Sequence, residues 1–243
     1  GLHPYTCSNT TNQNLMGLIY EPLFAIDQTF VTEPCLAKSC TIQVTSASGS
    51  EEEKDTEGDA SETGTEGDET DQKDASKEEK KKEQPRSKIA GKTTCTIQLR
   101  DDVTFSDGTS LSAEDVVYSL EQAKGKGSIY RERLSDVTSI TASGSTTVVI
   151  EINAADAAFD SLLDIPIISR SGGSNPIGTG PYVLNTKKGK AVSMTRNTNW
   201  WQEGTLPADT ITLYAAGDSD MMIFGFGSGR ISKVDTDLTG TNA

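Results

Sequence analysis

One stretch of this sequence, residues 51–88, cannot contribute to a folded core. It contains no aromatic residue and no Val, Ile, Leu or Met, but it carries 15 acidic and 8 basic side chains. A segment of this kind buries too little apolar surface to offset the entropy that it loses on ordering. We therefore predict that residues 51–88 form a disordered acidic insertion, and that residues 1–50 and 89–243 build the folded domain.

The insertion separates two nearly identical β-rich segments. Residues 40–44 read CTIQV and residues 95–99 read CTIQL. The entropic cost of closing a loop grows only with the logarithm of its length, so a hairpin tolerates a long insertion at its tip. The sequence therefore predicts a β-hairpin formed by residues 40–45 and 94–100, with the acidic segment at its turn.

Apolar periodicity and turn residues predict the other elements. Residues 112–115, Ser-Ala-Glu-Asp, form a capping box before a helix that runs to about residue 124. Helices are also predicted over 14–21, 154–163 and 218–226, a helical turn over 129–134, a strand or extended segment over 24–32, and strands over 137–142, 146–152, 181–185, 191–196 and 211–215. Hairpins with interspersed helices indicate an α+β fold rather than a strict βαβ repeat.

Charge and composition exclude several functions. The net charge is −14, of which residues 51–88 supply −7, and the one basic run, Lys80-Lys81-Lys82, is embedded in acids. We therefore expect no nucleic-acid binding, which needs clustered Lys and Arg. The sequence has no paired CxxC segments, and His3 is its single histidine, so we expect no metal site. We also find no nucleophile elbow and no acid pair typical of a catalytic cleft. We therefore expect no enzyme activity and no cofactor.

The four cysteines, Cys7, Cys35, Cys40 and Cys95, leave two interpretations open. If the two CTIQ segments pair as strands, Cys40 and Cys95 come close, and one or two disulfides would form in an oxidising compartment. The cysteines are equally consistent with buried free thiols. Their connectivity does not follow from the sequence.

Three segments of the chain together resemble the family-5 bacterial extracellular solute-binding proteins. They read HPYTCSNTTNQNLMGLIYEPLFAID, TIQLRDDVTFSDGTSLSAEDVVYSLEQA and NPIGTGPYVLNTKKGKAVSMTRNTNWW. The segments lie in the order and at the spacing of that family, apart from the acidic insertion. The resemblance covers most of the part that we expect to fold.

This resemblance implies a mixed-sheet lobe of a two-lobed, class II periplasmic-binding-protein-like fold, whose second lobe this sequence does not supply. It implies an exported receptor of an ABC importer, without catalysis, that captures a short peptide or a similar small solute and delivers it to permease subunits. Such a receptor would lie in the periplasm or on the extracellular face of the membrane, held by a lipid anchor outside this chain. The alternative is a surface interaction or adhesion module derived from such a lobe.

The resemblance also places candidate ligand-binding residues. The loop that lines the cleft in this family corresponds to Tyr5, Thr6, Ser8 and Asn9, whose aromatic, hydroxyl and amide groups suit a peptide or another polar solute. A second pair, Tyr130 and Arg131, lies where the family often has an aromatic or basic pocket residue. The competing interpretations are that Asn9 or Thr10 caps the next helix, and that residues 130 and 131 form an exposed helical turn.

Overall fold

The structure is a computed structural model that describes residues 3–46, 90–173, 175–187, 190–214 and 219–233. The predicted acidic insertion, residues 51–88, lies outside the described residues. In chain order the elements are α1 (Thr10–Met16), β1 (Phe24–Ile26), β2 (Thr32–Pro34), β3 (Ala37–Ser46), β4 (Gly91–Leu99), α2 (Ala113–Ala123), β5 (Val137–Ala142), β6 (Thr147–Ile152), β7 (Tyr182–Lys187), β8 (Lys190–Arg196), β9 (Thr210–Thr212) and α3 (Ser219–Gly227). Helices and strands are thus interspersed, as the α+β prediction requires.

The main sheet has four antiparallel strands in the order β3-β4-β6-β5. The pairing of β3 with β4 confirms the predicted hairpin, and its ladder extends to Ser46 opposite Gly91. Alternate residues of β4, from Thr93 to Leu99, are buried, so one face of this strand lies against the core. The predicted hairpin of β5 and β6 is also confirmed, and Gly144 supplies the positive φ of its turn.

Helix α2 covers the core face of this sheet next to β5 and β6. Its predicted capping box is present, because Ser112 Oγ accepts from the backbone N–H of Asp115 while Asp115 Oδ2 accepts from the Ser112 N–H. Val116, Leu120 and Ala123 are fully buried on one side of the helix. Apolar spacing and the cap together therefore fix both the start of this helix and the face that it buries.

Two predictions for the N-terminal region were wrong in their bounds. The helix begins at Thr10 rather than at residue 14, because the Asn9 side chain caps it by accepting from the Asn12 N–H at 2.9 Å. It ends at Met16, with Gly17 as its C-cap, rather than at residue 21. The predicted strand over 24–32 is instead the hairpin of β1 and β2. Asp27 Oδ1 accepts from the N–H groups of Thr29 and Val31, both at 2.8 Å, and this bonding reverses the chain.

The helix predicted over 154–163 was also wrong. Only a 3₁₀ turn, Phe159–Leu162, forms there. The preceding residues are tied to β4 instead, because Thr93 Oγ1 donates to the Ala154 carbonyl at 2.7 Å and accepts from the Asp156 N–H at 2.9 Å. These bonds hold the backbone outside helical geometry where apolar spacing alone favours a helix.

A smaller antiparallel sheet, β7-β8-β9, closes a second apolar cluster. Tyr182, Leu184 and Met194 from this sheet pack there with residues of the α1 region, including Met16 and Ile19. The loop before β7 passes so close that a Cβ on Gly178 would lie 2.1 Å from the Ile19 carbonyl oxygen. Only glycine allows this approach, so the Gly178-Thr-Gly180 segment fixes the smaller sheet against the N-terminal region.

A buried carboxylate joins the N-terminal region to the segment after β8. Glu21 is buried, and its oxygens accept hydrogen bonds from Trp200 Nε1 (3.1 Å), Trp201 Nε1 (2.7 Å) and Gln202 Nε2 (3.2 Å). Three donors satisfy a charge that would otherwise be costly to remove from water.

Helix α3 exposes the apolar side chains of Ile223, Phe224 and Phe226.

Candidate functional site

A cavity of about 230 Å³ lies between the α1 region and the segment that crosses it near Pro166. Two backbone contacts close its base: an isolated β-bridge pairs Pro22 with Pro166, and the Ile167 N–H donates to the Glu21 carbonyl at 3.0 Å. The lining residues are Pro4, Gln13, Met16, Gly17, Tyr20, Glu21, Pro22, Tyr130, Asp164 and Pro166. Apolar walls with a few amide, hydroxyl and carboxyl groups are typical of small-molecule sites.

Of the six residues predicted from the sequence, Tyr130 lines this cavity. Tyr5 lies directly behind it, with its ring edge-on to the Tyr130 ring at 6.2 Å between centroids. Tyr5 is buried, and its hydroxyl donates to the Pro166 carbonyl at 2.8 Å. The structure therefore places Tyr5 in the packing beneath the cavity, where it supports Tyr130 and Pro166.

The other four predicted residues are exposed and do not line this cavity. Thr6 and Ser8 lie on the loop before α1, and the Asn9 side chain caps that helix, as the competing interpretation proposed. Arg131 opens the 3₁₀ turn that follows Tyr130. The helical turn predicted over 129–134 is confirmed as this 3₁₀ turn, Arg131–Leu134. Tyr130, just before the turn, is half-buried, whereas Arg131 is exposed to solvent.

The electrostatic surroundings of Tyr130 come from the same turn. The Arg133 guanidinium lies 5.2 Å from the centroid of the Tyr130 ring, which is a cation–π geometry. Burial raises the pKa of the Tyr130 hydroxyl above its usual value, and the nearby Arg133 opposes this rise. The phenol therefore stays protonated at neutral pH and can donate a hydrogen bond into the cavity.

Asp164 supplies the carboxylate on the opposite side. Its side chain is half-buried, and burial raises its pKa, with Arg133 acting in the opposite direction. Arg133 Nη1 also donates to the Asp164 backbone carbonyl at 3.4 Å. One arginine thus contacts both the Tyr130 ring and the main chain of Asp164, and it fixes these two lining residues relative to each other.

Gln13 and Tyr20 complete the polar lining. Gln13 Nε2 donates to the Cys7 carbonyl at 2.8 Å, which orients its amide at the cavity edge. Burial raises the pKa of Tyr20 to about 12, so this hydroxyl is also a neutral donor. Sequence reasoning missed Gln13, Tyr20 and Asp164 as site residues. Asp164 enters the site only through the Pro22–Pro166 bridge, a contact between segments that are far apart in the sequence and share no pattern.

A larger concave surface of about 620 Å³ lies next to the buried Glu21 cluster. It is lined by residues that include Cys35, Arg100, Asp102 and Trp201. The Arg100 guanidinium stacks 4.4 Å from the Trp201 ring centroid and forms an ion pair with Asp102 at 2.6 Å. Its main cation is thus already paired within the chain, which makes this surface the weaker candidate for a charged solute.

The described residues offer neither a cluster of metal ligands nor a membrane-spanning helix. Across the described ranges, no group of three or more His, Cys, Asp or Glu side chains is placed to hold a metal ion. In the same part of the chain, no helix has both the length and the apolar character needed to cross a lipid bilayer.

Comparison with known proteins decides the family. The model of the bacterial extracellular solute-binding proteins, family 5 Middle, matches residues 75–237. The chain belongs to this family. The second and third of the three segments that carried the resemblance lie within these matched residues and include α2 and strands β7 and β8, whereas the first segment, with α1, precedes them.

Curated relatives within the family include two with named solutes. The nickel-binding protein NikA of Staphylococcus aureus is 32% identical over 129 residues, which is 50% of this chain and 26% of NikA. The glutathione-binding protein GsiB of Escherichia coli is 30% identical over 141 residues, which is 52% of this chain and 28% of GsiB. The chain therefore spans just over a quarter of the length of these relatives.

Solved structures share the fold over nearly the whole chain. The similarity to NikZ from Campylobacter jejuni, determined with Ni(L-His), has a TM-score of 0.63 at 21% identity and covers 95% of this chain and 40% of NikZ. The similarity to MoaA from Agrobacterium tumefaciens, determined with mannopinic acid, has a TM-score of 0.67 at 19% identity and covers 95% of this chain and 41% of MoaA. These similarities confirm the α+β periplasmic-binding-protein-like fold.

Proposed function

We propose that this chain forms part of the substrate-binding component of an ABC importer, and that the cavity beside Tyr130 forms one wall of its solute cleft. Residues 1–50 and 89–243 would then build a large but incomplete part of one lobe, with residues 51–88 as an insertion at the tip of the β3–β4 hairpin. The observation that carries this proposal is the convergence of Tyr130, Asp164, Gln13 and Tyr20 around one cavity in a chain of this family.

The chemistry of the cavity favours a small polar solute with an apolar part. The two tyrosine hydroxyls and the Gln13 amide donate hydrogen bonds, and the Asp164 carboxyl can accept them or meet an ammonium group. Met16 and the prolines supply apolar contact. A short peptide combines these features, because it carries a terminal ammonium, amide groups and side chains of varied character.

The family provides the broader context of this proposal. GsiB is named for glutathione, which is itself a short peptide, and NikA for nickel, so a metal complex is the second solute class that we consider. Capture would be non-covalent, and closure of two lobes over the solute would signal occupancy to the permease subunits. We place the protein in the periplasm or on the extracellular face of the membrane, with a lipid anchor as the proposed attachment.

The surface interaction or adhesion module remains the alternative. It is favoured by apolar side chains that the described structure leaves exposed, chiefly Phe30 (89% exposed) at the β1–β2 turn and Phe224 (70%) on α3. This alternative requires no occupant in the cavity beside Tyr130, so a solute-binding experiment separates the two functions.

The test is a thermal-shift panel on the full-length receptor of which this chain would form a part, with di- to pentapeptides, glutathione, free amino acids and nickel–histidine complexes. A ligand that binds only the folded state at a hundredfold excess over its Kd stabilises that state by about 2.7 kcal/mol. We expect one class of ligand to raise the Tm, and we expect that class to be the short peptides. A protein that shows a cooperative unfolding transition but no shift with any class would contradict the receptor function and favour the interaction module.

A further inference from the structure

The Sγ atoms of Cys40 on β3 and Cys95 on β4 lie 3.0 Å apart. The two residues are not directly opposite, because Cys40 faces Ile97 and Cys95 faces Ile42 in the ladder. They are diagonal neighbours on the same face of the sheet, and both side chains point toward the main core. Strand pairing therefore brings the two sulfurs together.

We propose that Cys40 and Cys95 form a disulfide that cross-links β3 to β4. The sulfurs need to approach by only about 1 Å to reach the S–S bond length of about 2.05 Å. The step requires an oxidant, for which we name a low-molecular-weight disulfide such as glutathione disulfide. Family membership places the protein outside the cytoplasm, in a compartment where such bonds form and persist.

The two thiols have different roles in this step. Cys95 is fully buried, whereas Cys40 is partly accessible. The two thiols share one hydrogen bond, in which either sulfur can be the donor. This contact lowers the pKa of Cys40, and together with burial it raises the pKa of Cys95. Cys40 is therefore the thiolate that an external disulfide meets first.

Thiol–disulfide exchange then balances as follows. The Cys40 thiolate attacks R–S–S–R, which breaks the S–S bond and releases one R–S⁻ that takes up a proton. Cys95 loses its proton and attacks the Cys40 sulfur of the mixed disulfide, and this releases the second R–S⁻. Two protein thiols are oxidised to one disulfide, and one external disulfide is reduced to two thiols.

The remaining cysteines have other surroundings and provide the controls. Cys35 lines the larger concave surface, and its pKa is raised to about 12, chiefly by burial. Cys7 is buried in the second apolar cluster. Among the described residues, no contact joins either of them to another cysteine, so we expect both to stay reduced.

The disulfide would covalently join β3 and β4, the two strands that flank residues 47–89. Cys40 and Cys95 are separated by 55 positions, and that interval includes the whole acidic segment. A cross-link there holds the two strands in register whatever residues 47–89 do. The inference is independent of the solute, so its failure would leave the receptor function intact.

The experiment is a disulfide map of the folded protein after incubation with either dithiothreitol or glutathione disulfide. Trypsin places Cys40 in the peptide 39–54, Cys95 in 93–100, and both Cys7 and Cys35 in 1–38. After alkylation under denaturing conditions, we expect four free thiols in the reduced protein. The oxidised protein should have two, with 39–54 linked to 93–100.

Matched variants complete the test. Cys35→Ser should retain the linked peptides, whereas Cys40→Ser should lose them and retain its fold, because Cys40 is only half-buried. The reductant should lower the Tm of the wild-type protein and leave that of Cys40→Ser unchanged. A folded, oxidised protein with four free thiols would overturn the proposal, as would glutathione retained on Cys40 without a cross-link, or a link that involves peptide 1–38.

Discussion

Trp201 Nε1 donates a 2.7 Å hydrogen bond to Glu21 Oε2, and this contact joins the segment between α1 and β1 to the segment after β8. Trp200 and Gln202 donate to the other oxygen of the same carboxylate. The tryptophan pair of the family-like segment NTNWW is therefore part of the architecture of the fold. Since Glu21 also lines the cavity beside Tyr130, its position links the packing of the fold to the candidate site.

Removal of the Glu21 carboxylate should strongly destabilise the protein. Glu21→Ala leaves three donors without their shared acceptor in a partly buried site, and we expect the free energy of unfolding to fall by about 2–4 kcal/mol. Urea titration followed by tryptophan fluorescence measures this change. Glu33→Ala, at an exposed position on β2, should stay within about 0.5 kcal/mol of wild type. Equal changes in the free energy of unfolding for the two variants would contradict a stabilising role of the Glu21 carboxylate.

Gly178 should not tolerate a side chain. The Cβ of Gly178→Ala would meet the Ile19 carbonyl at 2.1 Å, which forces the loop away from the α1 region and should cost about 2–3 kcal/mol of unfolding free energy. Gly227→Ala is the matched control, because a Cβ there meets nothing within 4 Å. Thermal unfolding should show a lower Tm for the first variant alone, and an unchanged Tm for Gly178→Ala would refute the close approach.

Neighbouring acids at the start of α2 should behave differently. Asp115 is buried, caps the helix and also accepts from the Arg170 N–H at 3.0 Å, so Asp115→Ala should cost about 1–3 kcal/mol. Glu114 forms only an exposed ion pair with Arg170 at 2.9 Å, and Glu114→Ala should change stability by less than about 1 kcal/mol. Chemical denaturation of both variants would contradict this assignment if Glu114→Ala had the larger effect.

Asp164 should make a pH-dependent contribution to stability. Burial raises its pKa in the folded state, so the group favours folding below its unfolded pKa and loses that contribution as the pH rises through the raised folded value. Asp164→Asn carries no such charge, and its stability relative to wild type should therefore increase from acid toward neutral pH. Urea midpoints of both proteins across that range measure the difference. A difference that falls as the pH rises would reverse the sign and contradict the burial of this carboxyl.

Local patterns predicted much of this fold. The cap at residues 112–115 and the repeated CTIQ segments correctly predicted α2 and the β3–β4 hairpin, because both signals act between neighbours or through simple alternation. The region after β6 was misread as a helix, because Thr93 on a distant strand holds Ala154 and Asp156 in place. The spacing of apolar residues within 154–163 cannot indicate a hydrogen-bond partner on a distant strand.

The candidate site was harder to predict than the fold. Tyr130 was identified only through the resemblance to the family, and the partners around it come from three separate parts of the chain. The Pro22–Pro166 bridge brings the segment of Asp164 to the cavity beside Tyr130. No pattern in the residues that flank Pro22 or Pro166 predicts this contact. The exposed positions of Thr6, Ser8 and Arg131 leave their part in ligand binding as a prediction.

Isothermal titration of the wild-type protein, Tyr130→Ala and Tyr214→Ala with the solute that scores highest in the thermal-shift panel tests the central claim most directly. Tyr130 lines the cavity, whereas Tyr214 is 70% exposed beyond β9. We predict a Kd at least tenfold higher for Tyr130→Ala, equivalent to about 1.4 kcal/mol, and an unchanged Kd for Tyr214→Ala. Circular dichroism should show that both variants remain folded. A folded Tyr130→Ala protein that binds the solute as tightly as wild type would contradict the assignment of this cavity as a wall of the solute cleft.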